Sequence, residues 1–206
     1  MSPGGHLVTT AAACAAVYAG TGSAALTLGL AAGGFLIDID HVVDYVAFER
    51  QRDLRPSAFL RYYLEGRVRR VVLPLHSYEL FACLMLLAWL SNSEWLWGYV
   101  LGMGLHLPLD IIFNGRLVPG GLVHFYSFAC RARAGFLAER FADPGRLAPL
   151  GDSFWVSFFR GARLKSAATS PGRAAVAAPL ARELLAHGPE LSIHGRASSG
   201  LRAPSP

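Results

Sequence analysis

The sequence predicts an all-α membrane protein: a polytopic helical bundle of three to four apolar helices, with interfacial helices and a disordered C-terminal tail. Composition points there first. Of 206 residues, 53% are hydrophobic and only 16% charged, and the mean hydropathy is +0.36, more apolar than an ordinary soluble domain of this length. Long apolar regions then recur at about 7–39, 71–90 and 95–113. Finally, Trp89, Trp95, Trp97 and Tyr99 cluster around one short polar turn, as aromatic rings do where a helical hairpin meets the headgroups.

The first apolar region is rich in Ala and Gly and is interrupted at Gly20-Thr21-Gly22. It reads either as one long tilted span or as a hairpin of two helices of about fifteen residues, each short of the roughly 20 that a span needs. In the hairpin His6 returns to the side of Asp38; in the single span it lies on the opposite side. Small residues permit close helix packing in both cases. Residues 49–70 carry Arg50, Arg52, Arg55, Arg61, Arg67, Arg69 and Arg70, which marks a cytoplasmic loop. Phe59, Leu60, Tyr62, Tyr63 and Leu64 place a short interfacial helix within it.

Residues 71–90 form the second span. Ser91-Asn92-Ser93-Glu94 has no basic residue and turns on the outer side. Residues 95–113 return to the cytoplasm, where Arg116, Arg131, Arg133, Arg140 and Arg146 resume the positive bias. The aromatic segments 125–128 and 154–159 suit the membrane surface. Residues 166–206 are Ala, Ser, Pro, Gly and Arg with few large apolar groups, and cannot bury a core. The organisation is therefore a membrane-embedded helical domain, 1–165, and a disordered tail, 166–206.

The net charge of +5 comes almost wholly from arginine, Lys165 being the one lysine. It sits in connections and tail, without a zinc-finger, RNA-binding or helix-turn-helix pattern, so no nucleic-acid partner is expected. Cys14, Cys83 and Cys130 are odd in number, far apart and in apolar surroundings. They suggest neither a disulfide framework nor a thiolate metal site. No basic residue precedes the first apolar run, which argues against a secretory signal.

The informative feature is where the ionisable groups fall. Each long apolar region keeps aspartates or histidines near one end: Asp38, Asp40 and His41; His76; His106 and Asp110. Such groups cost roughly 2.5–3.5 kcal/mol each on insertion scales, so a chain that keeps them in every region uses them together. The arginine bias puts all three sets at similar depth on the cytoplasmic side, with His76 roughly 9 Å into the second helix at 1.5 Å per residue. His106 and Asp110 are i,i+4 and share a helical face, as do His76 and Glu79 at i,i+3; Asp40 and Asp44 do so if their helix continues. Carboxylate with imidazole suits Zn²⁺, Mn²⁺ or Fe²⁺ better than Ca²⁺. A set this large could hold one or two ions, two lying about 3.5–4 Å apart in hydrolases. Each group has a plainer reading: a polar helix end for Asp38-Ile39-Asp40-His41, a cap for His76-Ser77, a buried pair for His106 and Asp110. Glu79 is either a general base or an interhelical hydrogen-bond partner. His124, His187 and His194 receive no role.

These residues resemble a known family. The early His6, the run Phe35-Leu36-Ile37-Asp38-Ile39-Asp40-His41, Pro74-Leu75-His76-Ser77, and Gly104-Leu105-His106-Leu107-Pro108-Leu109-Asp110 are similar, in this order, to motifs of the bacterial membrane-bound metal-dependent hydrolases. Some of these are LexA-regulated inner-membrane proteins. The resemblance covers about residues 6–115. Ile37 stands where the family has proline and Leu75 where threonine is usual. The arginine that commonly precedes the histidine is displaced, Arg70 being the nearest. The resemblance implies a multi-pass protein of the bacterial inner membrane with loops and C-terminus cytoplasmic. It also implies a divalent metal, Zn²⁺ first, held by Asp38, Asp40, His41, His76, His106 and Asp110, with His6 joining in the hairpin reading. The expected activity is metal-dependent hydrolysis of a phosphoester or lipid-like substrate, with Glu79 the candidate catalytic residue and Arg69, Arg70 and Arg116 available to attract phosphate. The expected partners are membrane lipids and a small-molecule or lipid substrate. The competing reading is a non-enzymatic membrane protein that binds or moves metal ions or protons.

Overall fold

A computed structural model describes residues 1–115, 122–151 and 153–165. The chain is all-α. Its helices are α1 (Pro3–Thr21), α2 (Ala24–Gly34), α3 (Ile39–Val43), α4 (Pro56–Leu64), α5 (Tyr78–Ser91), α6 (Glu94–Asn114), α7 (Leu122–Phe125), α8 (Phe128–Arg133) and α9 (Phe154–Arg160). A tight 3-10 turn, Leu36–Asp38, joins α2 to α3, and α3 runs on through a π turn, Asp44–Phe48. The tail reading, with Arg116, His187 and His194, lies outside the described residues.

Serine begins α1, α2, α5, α6, α8 and α9, its hydroxyl accepting from a backbone N–H of the first turn and satisfying one of the donors a helix start leaves free. Gly22 at φ +66° and Asn92 at φ +49° end α1 and α5 in the left-handed conformation, which glycine and asparagine adopt at least cost. The first apolar region is thus a hairpin: α1 turns at Gly22-Ser23 and α2 packs back along it.

The closest pair is α2 with α6. Gly29 and Gly33 of α2 face Gly98 and Gly102 of α6, each pair four residues apart. A Cβ on Gly29, Gly33 or Gly98 would stand 2.0 Å from a carbonyl oxygen of the opposite helix, so the two backbones touch where only glycine fits. Gly33→Leu is therefore expected to lower stability by about 1–3 kcal/mol or more through overpacking. Gly20→Ala, at the end of α1 with nothing within 4 Å, is expected to raise it by about 0.5–1 kcal/mol. Thermal melts in detergent check both.

By length and composition α6 is long and apolar enough to cross a membrane, and α2 with the Leu36–Phe48 segment makes a second candidate bent by 44°. The second apolar region differs from its sequence reading. Only Tyr78–Ser91 is helical, and residues 71–77 form an irregular, largely buried segment. Pro74 offers no N–H, Leu73 sits at φ +41°, and Ser77 caps α5, so the helix cannot start earlier. A short helix is present in the arginine loop as α4, and the aromatic segment 154–159 lies in α9. Ile37, Met103, Leu107 and Tyr126 form one buried apolar cluster; Val71, Leu73 and Phe141 form another. Outward-facing side chains such as Trp89 (70% exposed), Leu90 (70%) and Ile112 (69%) are large and apolar.

Candidate metal centre

Three structural devices bring the ionisable groups together. The first is the α-helical spacing of α6, which puts His106 and Asp110 on one buried face, with His106 Nε2 3.5 Å from Asp110 Oδ2. The second is the break after Gly34. It turns Asp38, Asp40 and His41 towards α6, and the terminal carbonyl of α2 accepts His106 Nδ1–H at 2.9 Å. The third is the irregular segment that carries His76. Asp44 Oδ2 accepts the N–H groups of Val72 (2.7 Å) and Leu73 (3.3 Å), and Asp40 Oδ2 accepts that of Leu75 (3.0 Å). On its other side Arg131 donates to the carbonyls of Leu73 (2.8 Å), His76 (3.0 Å) and Phe125. Buried backbone without helical partners must find others, and here two carboxylates of α3 and its continuation and one guanidinium supply them.

The result is a cluster of donor atoms gathered about the two histidines. His76 Nε2 lies 3.1 Å from His106 Nε2, 3.3 Å from Asp38 Oδ1 and 3.9 Å from Asp110 Oδ2. His106 Nε2 lies 3.6 Å from Asp38 Oδ1. Ligands about 2.0–2.1 Å from a tetrahedral zinc stand about 3.3–3.4 Å from one another, close to the 3.1, 3.3 and 3.6 Å separations among His76, His106 and Asp38, so that set could hold a metal ion.

Proton accounting shows that the two facing nitrogens need a cation between them. The Gly34 carbonyl can only accept, so His106 carries its hydrogen on Nδ1. Asp40 accepts from His76 Nδ1, 3.0 Å from both carboxylate oxygens. Each neutral ring then aims an Nε2 lone pair at the other across 3.1 Å. Two facing lone pairs repel unless a cation lies between them, either a proton or a metal. In its absence the proton goes to His76: burial opposes its charge, but Asp40 and Asp38 outweigh burial and push its pKa up to about 10.

The remaining expected ligands lie at the margin. His6 Nε2 is 2.9 Å from Asp110 Oδ1, and its ring stacks on His106 at 3.8 Å. His41 Nε2 is 3.7 Å from Asp38 Oδ1, and the Tyr63 hydroxyl donates to the His41 carbonyl at 2.7 Å. The buried Nδ1 atoms of His6 and His41 have no hydrogen-bond partner. Three overlapping sets, His6/His106/Asp110, Asp38/His76/His106 and Asp40/His41/His76, each keep their donor atoms within 4.8 Å and could hold a metal ion. Asp40 is engaged by His76 Nδ1 and Leu75 N, the position of a carboxylate that orients a ligating histidine.

Glu79 is not brought to this centre. Its carboxylate accepts from the Ser127 hydroxyl (2.6 Å) and from the N–H groups of Phe128 (2.9 Å) and Ala129 (3.1 Å) at the start of α8. His76 stands outside α5, so the expected shared face of His76 and Glu79 does not exist; the interhelical alternative describes Glu79. Arg131, one of the arginines that mark the expected cytoplasmic side, is fully buried. Asp44, also fully buried, supports the His76 segment. The only sequence signal for either was a charged residue beside aromatic or apolar neighbours.

No known family model, curated protein or solved structure matches the chain.

Proposed function

We propose that this protein is a membrane-bound, metal-dependent hydrolase of phosphoester or lipid-like substrates, with one zinc-type ion held by Asp38, His76, His106 and Asp110. The observation that carries this is the buried gathering of imidazole and carboxylate donors, with His76 Nε2 3.1 Å from His106 Nε2 and 3.3 Å from Asp38 Oδ1, and His106 Nε2 3.5 Å from Asp110 Oδ2. Mn²⁺ and Fe²⁺ suit the same donors. A divalent ion bound there lowers the pKa of water towards about 7 and polarises the scissile group.

The chain's own residues do the rest. Gly34 and Asp40 fix the tautomers of His106 and His76. Asp38 and His41 face the cavity beside the cluster, whereas His106 and Asp40 do not line it. His41, with a quarter of its side chain exposed, is the group placed to take a proton from water or return one to a leaving alkoxide. The exposed apolar surface and α6 support a membrane setting, the multi-pass bacterial inner-membrane protein of the motif resemblance.

The test is metal analysis of detergent-purified protein together with hydrolysis of phosphoester and lipid esters. One ion per chain and a turnover abolished by His41→Gln support the reading. A protein that takes up no divalent ion, or that moves ions across proteoliposomes without turnover, would end it. Binding is also expected to depend on pH with a definite sign. Asp40 and Asp38 hold the proton on His76, which must give it up to bind, so apparent affinity should rise with pH. Calorimetry in buffers of different ionisation enthalpy should register about one proton released per ion; none released would contradict the assignment of His76.

A further inference from the structure

The centre forms one end of a cavity of about 1110 Å³, larger than the roughly 300–1,000 Å³ of pockets for drug-sized ligands. His6, Asp38, His41, His76 and Asp110 of the cluster line it. Elsewhere the walls are apolar, with Leu60, Val68, Val71, Ala142 and Leu147 among them. Leu60 and Val71 are buried, so part of the chamber wall lies inside the fold. The rim is different. Leu36, Ile39 and Val42 lie three residues apart on one helical face, line the same cavity, and are 58%, 55% and 40% exposed. Phe113 and Phe159 also line it and are exposed. An opening framed by exposed apolar side chains faces lipid more readily than water. Arg160 and Arg163 add positive charge to the wall.

We infer that the substrate is a membrane amphiphile with an anionic ester head and a long apolar chain. This rests on the metal centre proposed above. The head meets Asp38 and His41 at the metal end, and the chain lies in the chamber beside Val68 and Ala142. The apolar rim lets the molecule pass in from the bilayer without exposing its chain to water. Chain burial here is worth about a factor of four per methylene relative to water, which a short soluble ester forfeits.

The test uses the full chain in vesicles, loaded with Zn²⁺, and a single-chain alkyl phosphate with a photoreactive diazirine at the end of the chain. Mass spectrometry locates the crosslinks. Labelling of Val68, Ala138, Ala142 or Leu147 is expected, competed by the unlabelled long-chain phosphate and not by methyl phosphate. Ala142→Trp and, independently, Val68→Trp fill the chamber and should remove that labelling several-fold while zinc content stays as in the wild type. Labelling confined to outward residues such as Leu86 and Leu90 would overturn the inference. So would equal hydrolysis of short and long esters by the wild type and Ala142→Trp. Zinc content and crosslinks are read in the same sample, so loss of the metal reading is seen separately from loss of the chamber.

Discussion

His106→Ala protein is expected to bind zinc at least about a hundredfold more weakly than the wild type, because even residues that only orient a ligand cost about 10–100-fold when removed. His106 supplies one of the two nitrogens at the centre, and its partner Gly34 carbonyl holds it there. Asp40→Asn is the informative comparison. Asp40 touches His76 Nδ1 and Leu75 N rather than the central point, so its loss should fall within the 10–100-fold range and leave measurable binding. Asp38→Asn should group with His106→Ala, because its Oδ1 stands 3.3 Å and 3.6 Å from the two nitrogens. Hydrolysis should follow the same order. Metal titration and turnover of the three variants, with melting of the chelated proteins to confirm folding, check this ranking. Equal metal content in all of them would remove the centre from consideration.

Arg131→Met should destabilise the protein by about 3 kcal/mol or more, since three buried carbonyls lose their donor at about 1 kcal/mol or more each. Those carbonyls belong to Leu73, His76 and Phe125. The first two belong to the segment that places His76, so the folded fraction should also bind metal more weakly. Arg131→Lys keeps the charge but not the planar fork, and should fall between methionine and wild type. Arg133→Met, two residues on and exposed, should stay within about 0.5 kcal/mol. Melting curves with and without zinc separate the two effects: for Arg131→Met the zinc-induced rise should shrink, and for Arg133→Met it should not. An unchanged zinc-induced rise in Arg131→Met would show that the guanidinium does not position His76.

How much of this was legible beforehand varies by element. The Gly20-Thr21-Gly22 interruption left hairpin and single span open, and the contact of His6 with Asp110 decides for the hairpin. The i,i+4 pairing of His106 and Asp110 follows from helical geometry alone, because both lie on one continuous helix. The same reasoning misplaced His76. An apolar run such as 71–90 looks alike whether its first seven residues are helical or irregular, since periodicity carries no information about backbone partners. Those partners are Asp40, Asp44 and Arg131, as many as 58 residues away in the chain. Glu79 was read as a neighbour of His76 for the same reason.

The sequence by itself determined the helical class, the long apolar regions, the break at Gly20-Thr21-Gly22, and which side chains had chemistry to offer. Each follows from local composition and spacing, which act over a turn or two of backbone. Only the tertiary structure decided that Asp38, Asp40, His76, His106 and Asp110 come together, that Asp40 bonds His76 Nδ1 and Leu75 N, and that Arg131 is buried. Those facts depend on long-range satisfaction of buried polar groups, where one guanidinium and two carboxylates hold a segment that has no helix of its own.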